Sequence, residues 1–157
     1  MIIQIEDWRF QVFTVSNRRY YAREATEHCT CAWCRNFYQS VDARYPDLRS
    51  LLDRFGIHIE APEESMAFSP TLCSNYYSVC GEILQWGSGD ILVNGVSVTP
   101  ETEEQSGVDV DRDGPVFFLR VGPMTLPWVL DEPMEEADSP AKGKAFVQRL
   151  LQRWITE

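Results

Sequence analysis

The sequence predicts an α+β fold in a single domain over residues 1–157. An antiparallel sheet of about five to seven strands is packed by two central helices (about 31–45 and 46–55) and a C-terminal helix (about 140–155). Three observations carry this expectation. Runs of β-favouring residues gather in two blocks instead of alternating with helices, as a parallel sheet would need. Asn94-Gly95 stands between Ile91-Leu92-Val93 and Val96-Ser97-Val98, and a two-residue turn with positive φ at both positions is the strongest short hairpin signal. Apolar residues three and four apart, the helical period, are confined to the centre and the C-terminal end.

In chain order, residues 2–5 and 8–15 read as strands. Trp8, Phe10 and Val12 alternate with polar neighbours, and Phe13 and Val15 then shift the alternation by one, as at a bulge or in a two-faced strand. Ser16-Asn17 signals a turn, and Arg19-Tyr20-Tyr21-Ala22 reads as a short returning strand. Cys34, Phe37, Tyr38, Val41 and Tyr45 form the apolar stripe of a first helix with Thr30 as its N-cap. Pro46 stops that helix and opens the next, whose buried face is Leu48, Leu51, Leu52 and Phe55, with Gly56 as a left-handed stop. Residues 60–75 contain two prolines and many polar groups and read as loop. Residues 76–86, 116–121 and 125–130 read as strands, with an acidic loop over 100–114. Ser139-Pro140 caps and opens the final helix, whose stripe is Phe146, Val147, Leu150, Leu151, Trp154 and Ile155.

At 44% hydrophobic and 12% aromatic residues, the chain can bury a core without disulfide staples. No apolar run approaches the roughly 20 residues that span a bilayer. Residues 1–7 lack the basic start and apolar centre of a signal peptide. The expectation is therefore a cytoplasmic protein with no membrane association, its five cysteines serving as thiols or metal ligands. The formal charge of −10 is uneven: residues 61–138 hold 2 basic and 15 acidic groups, while residues 1–60 are balanced and residues 139–157 are net +3. An acidic middle repels phosphate backbones, which excludes nucleic acid as a partner. It suits a basic partner protein or a cation, or serves simply as a solvated face.

The chemistry-bearing stretch runs from His28 to Phe37 and holds three of the five cysteines. His28, Cys29, Cys31 and Cys34 offer four soft donors within seven residues, the donor types and number that tetrahedral zinc takes, and Cys31-x2-Cys34 has knuckle spacing. A second ligand pair at a distance, usual in structural zinc sites, has only Cys73, Cys80 or His58 to draw on. Read as a thiol–disulfide enzyme, Cys31 and Cys34 form C-x-x-C at a helix start, where the helix dipole lowers a thiol pKa, but no buried parallel strand precedes them. Read as packing, Cys34 and Cys80 are small core hydrophobes, and Cys29 is the member that packing explains least.

The run Cys29-x-Cys31-x2-Cys34-Arg35-Asn36-Phe37-Tyr38, with Pro46-Asp47-Leu48 and the segment from Phe55 to Glu63, resembles a group of small uncharacterised bacterial proteins over roughly residues 28–64. The resemblance implies a cytoplasmic bacterial protein of one domain and brings no activity with it. It draws Arg35 and Asn36 to notice beside the thiols; the plain reading gives Asn36 a local backbone bond and Arg35 to solvent.

Asp109, Asp111 and Asp113, followed by Gly114, match the first half of a calcium loop. Position twelve is Arg120 where a bidentate glutamate belongs, so an ordinary acidic turn competes with calcium. Trp86 and Trp128, near glycine or proline, could line a cleft or pack an edge. No nucleophile elbow, P-loop or dinucleotide fingerprint is present, and no catalytic residue is assigned. The expected function is non-catalytic: a small acidic binding protein that regulates or neutralises a basic partner. A zinc-stabilised module on His28, Cys29, Cys31 and Cys34 is the alternative, and a thiol–disulfide enzyme on Cys31 and Cys34 the third.

Overall fold

The structure is a computed structural model that describes residues 1–24 and 29–134. The helix expected at 140–155 lies outside these residues, as does His28. Seven strands form one antiparallel sheet: β1 (Ile2–Ile5), β2 (Trp8–Val12), β3 (Glu64–Ser69), β4 (Leu72–Gln85), β5 (Ile91–Val93), β6 (Val96–Thr102) and β7 (Val116–Thr125). Their order is β1-β2-β4-β7-β6-β5, with β3 also paired to β4. The described residues form helices α1 (Thr14–Glu24), α2 (Ala32–Arg44), α3 (Pro46–Arg54) and the short α4 (Glu103–Ser106). The fold is thus α+β, as expected. No helix among the described residues is long and apolar enough to cross a membrane.

β4 organises the sheet. One edge pairs with β7, and the other is shared end to end by β3, along Leu72–Tyr76, and β2, along Gly81–Gln85. Between those two partners the strand lacks a neighbour, and buried backbone groups cannot stay unpaired without cost. α1 fills the gap with side chains. Asn17 accepts from the Cys80 N–H at 2.8 Å and donates to the carbonyls of Phe55 at 2.9 Å and Cys80 at 3.4 Å. The Tyr21 hydroxyl donates to the Ser78 carbonyl at 2.8 Å. Asn17 and Tyr21 are fully buried.

This explains a correction. Residues 14–24 are helix, where a strand end, a turn and a returning strand were expected. The buried face of α1 is Thr14, Asn17 and Tyr21, so two of its three inward residues are polar. A hydrophobic-period reading cannot see such a stripe.

The main core lies where α2 and α3 meet the sheet. Phe10 sits between Phe55 and Phe117, with ring centroids 5.4 Å from each, and Val41, Leu48 and Leu52 close the same cluster. α3 begins at Pro46 as expected and receives a cap from across the fold. Asn94 Oδ1 accepts from the backbone N–H groups of Asp47 at 3.1 Å and Leu48 at 3.2 Å, satisfying two open donors at the helix start. Asn94 can do this because it occupies the β5–β6 turn with φ 51°, followed by Gly95 at φ 76°, the hairpin expected from the sequence.

Two further expectations change. Residues 64–69 form an edge strand, not loop, because pairing with β4 supplies hydrogen bonds that polar composition does not forecast. β7 runs unbroken to Thr125, and residues 126–130 are not strand. That stretch is held by side chains of α2, which brings it beside the cysteines.

Candidate metal centre

Cys29, Cys31 and Cys34 come together. Their three sulfur atoms lie within 4.8 Å of one another, and all three residues are partly buried. Local structure produces this. Cys31 is the N-cap of α2, in extended backbone with φ −64° and ψ 158°, and the helix begins at Ala32. Cys34 follows in the first turn, so the C-x-x-C spacing returns its side chain to the side of Cys31. Thr30, expected as the cap, instead presents its carbonyl to Arg35, whose Nε donates to it at 2.9 Å. That bond ties the residue between Cys29 and Cys31 to α2.

Arg35 and Asn36 clamp the loop to the end of the sheet. Arg35 Nη2 pairs with Glu132 at 2.6 Å. Asn36 is fully buried; its Nδ2 donates to the Pro127 carbonyl at 3.0 Å and its Oδ1 accepts from the Val129 N–H at 2.7 Å. These contacts span more than ninety positions, so sequence reading, which gave Asn36 a local bond and Arg35 to solvent, missed them. The signal available was their adjacency to the thiols.

Burial is the main effect on the thiols of Cys31 and Cys34, and it pushes both upward. For Cys34 the neighbouring sulfurs add to the rise, while for Cys31 the Cys34 backbone opposes it. The leading effects include no arginine or lysine. Thiols placed this way hold their protons at neutral pH, which is the reverse of what an activated nucleophile needs. A bound cation would displace those protons and turn the sulfurs into ligands.

Cys29 and Cys34 also line a cavity of about 80 Å³ between α2 and the β3–β4 end of the sheet. Phe37, Leu72 and Leu126 supply apolar wall, and Glu24, Tyr38 and Glu63 supply polar groups. Cys73 lies on the same wall but is not part of the sulfur cluster; it is buried, and Asn75 Nδ2 donates to it at 3.6 Å. Cys80 is buried as expected of a packing cysteine, whereas Cys34 faces its fellow sulfurs and the cavity.

The structure does not bring the calcium candidates together. Among the described residues the cysteine trio is the only group of three such ligands gathered within 4.8 Å, so Asp109, Asp111 and Asp113 do not converge. All three are exposed. Arg112 between them turns inward instead: its Nη1 donates to the Ser78 hydroxyl at 3.0 Å, its Nη2 to Asn17 Oδ1 at 2.7 Å, and its guanidinium lies 3.9 Å over the Tyr20 ring. The loop is shaped by that anchor, with its carboxylates left to solvent. Trp86 packs on Trp8 at 5.5 Å, while Trp128 donates to the Glu132 carbonyl at 2.9 Å and so helps hold the clamp.

Compared with family models, curated proteins and solved structures, the chain has no match.

Proposed function

We propose that the protein is a small zinc-binding module whose metal is held by the thiolates of Cys29, Cys31 and Cys34. The observation that carries this reading is the convergence of three sulfurs within 4.8 Å on a loop pinned by Arg35 and Asn36. Thiolates select zinc, copper(I) and iron–sulfur clusters. Three cysteines are one short of the four that hold an iron–sulfur cluster, and zinc accepts three sulfurs with a further donor. His28, the fourth donor of the sequence motif, lies outside the described residues. The test is metal analysis of protein purified under reducing conditions without chelator. Near one zinc per chain is expected, lost in the triple variant Cys29→Ser/Cys31→Ser/Cys34→Ser. Wild-type protein without bound metal after zinc supplementation would sink the reading, and copper in place of zinc would correct its metal.

A second reading, a binding protein for a basic partner, is supported by the surface around α4. Glu103, Glu104, Asp109, Asp111 and Asp113 are all exposed there, while the one arginine of the loop is turned inward. The two readings occupy different parts of the molecule and do not compete.

A further inference from the structure

We propose that the zinc centre is open at its fourth position, and that this position faces the cavity beside α2 and takes a small neutral ligand with a nitrogen or oxygen donor and an apolar body. The inference rests on the zinc reading above and goes one step beyond it. Its first ground is the donor count. Three sulfurs gather among the described residues, which leaves one position of a tetrahedral zinc to a further donor. Its second ground is placement. Two of the three sulfurs, on Cys29 and Cys34, line a cavity of about 80 Å³, so a cation bridging them borders that space. Zinc with three protein ligands and one exchangeable position is the arrangement that admits an outside molecule.

Charge and lining select the ligand. Zinc with three thiolates carries a net charge of −1, and Glu24 and Glu63 add carboxylates to the same wall. An anionic donor entering that space meets repulsion from both; a neutral one does not. Phe37, Leu72, Ala67 and Leu126 give the body of the ligand an apolar surface, and Tyr38, beside Cys34, stands on the same wall.

The experiment uses the full chain loaded with cobalt(II) in place of zinc, kept anaerobic and reduced. Thiolate-to-cobalt charge-transfer bands report whether the metal is bound, and the visible d–d bands report its fourth ligand. Imidazole is the neutral probe and azide the anionic one. Imidazole is expected to shift the d–d bands saturably without reducing the charge-transfer bands, with azide at least tenfold weaker. Ala67→Phe and Ser65→Phe, each adding bulk to the cavity wall, are expected to raise the half-saturating imidazole concentration at least tenfold and leave charge transfer intact. Two variants guard against one that misfolds.

Absent charge transfer in the wild type refutes the zinc reading itself, and with it this inference. Charge transfer with d–d bands that ignore both probes refutes only the open position. If His28→Ala then becomes sensitive to imidazole, His28 is the fourth ligand. Stronger binding of azide than of imidazole overturns the ligand class, and wall variants with unchanged imidazole binding overturn the cavity as its location.

Discussion

Replacing Asn36 by leucine removes the clamp at nearly constant volume. Asn36 makes two hydrogen bonds to one backbone stretch, donating to Pro127 at 3.0 Å and accepting from Val129 at 2.7 Å. An unsatisfied buried group costs about 1–3 kcal/mol. Pro127 and Val129 are themselves exposed, so water can reach their freed groups and the lower end of that range applies to each. The loss is therefore about 2 kcal/mol, read as a lowered midpoint in urea at unchanged slope. On the zinc reading, the second consequence falls on the metal. The same stretch leads to Glu132, which holds Arg35, which in turn holds the Thr30 carbonyl between Cys29 and Cys31. Groups that orient ligands without touching metal are worth about 10–100-fold in affinity. Competition with a chromophoric chelator should show zinc binding weakened by about tenfold in Asn36→Leu. Unfolding within about 0.5 kcal/mol of wild type, the usual range for neutral surface changes, together with unaltered zinc affinity, would refute the clamp.

Three other outcomes follow from the same contacts. Asn17→Ala strands the Cys80 N–H, the Phe55 carbonyl and one nitrogen of Arg112, so it should cost about 3–5 kcal/mol in denaturant unfolding; a loss below about 1 kcal/mol would mean α1 does not seal the gap in β4. An oligolysine peptide should bind the wild type with an affinity that falls as salt is raised, and the combined variant Glu103→Gln/Glu104→Gln/Asp109→Asn should weaken it; equal binding by both proteins would remove the acidic surface from consideration. Burial pushes the Cys73 thiol from its ordinary 9.0 up to about 12. Between those values the unfolded chain has given up that proton and the folded chain has kept it, so stability is intact below pH 9 and falls as pH rises, by up to about 4 kcal/mol in full. Cys73→Ala should show a shallower alkaline decline than wild type in chemical unfolding from pH 8 to pH 10.5, and parallel declines would show that Cys73 is not the source.

The fold class was legible because its largest elements obey simple periods. Leu48, Leu51 and Leu52 mark α3, Phe37 and Val41 mark α2, and Asn94-Gly95 fixes a hairpin by backbone geometry alone. What escaped was everything joined by polar side chains. α1 turns Thr14 and Asn17 inward, which looks like a solvent pattern until the open edge of β4 is known. β3 is an edge strand whose hydrogen bonds come from a partner, and no local signal announces a partner. At the site, the four-donor motif identified the right neighbourhood, but assigning Cys34 to the apolar stripe of α2 was a matter of a few tens of degrees around the helix. The buried face passes through Trp33, Phe37 and Val41, and Cys34 lies on its flank, free to meet Cys31 and Cys29.

Three asparagines do the joining: Asn17 at the gap in β4, Asn36 at the end of β7, and Asn94 at the start of α3. An amide side chain both donates and accepts, so one residue can satisfy backbone groups from two parts of the chain. This has a consequence for how metal and folding are linked. In small zinc modules the site is absent until metal arrives, and the chelated protein unfolds. Here the main cluster around Phe10, Leu52, Tyr77 and Leu119 is buried with no contribution from Cys29, Cys31 or Cys34. The cysteine loop is meanwhile held by Arg35 and Asn36 through protein contacts alone. Zinc should therefore bind a folded chain and add stability only by mass action, about 2.7 kcal/mol when free metal is a hundredfold above the dissociation constant. A strong chelator should leave far-ultraviolet circular dichroism unchanged while lowering the melting temperature, and adding zinc back should restore it. If the chelated protein instead loses its sheet signal, the asparagine-held framework does not stand without metal, and the order of cause runs from the ion to the fold.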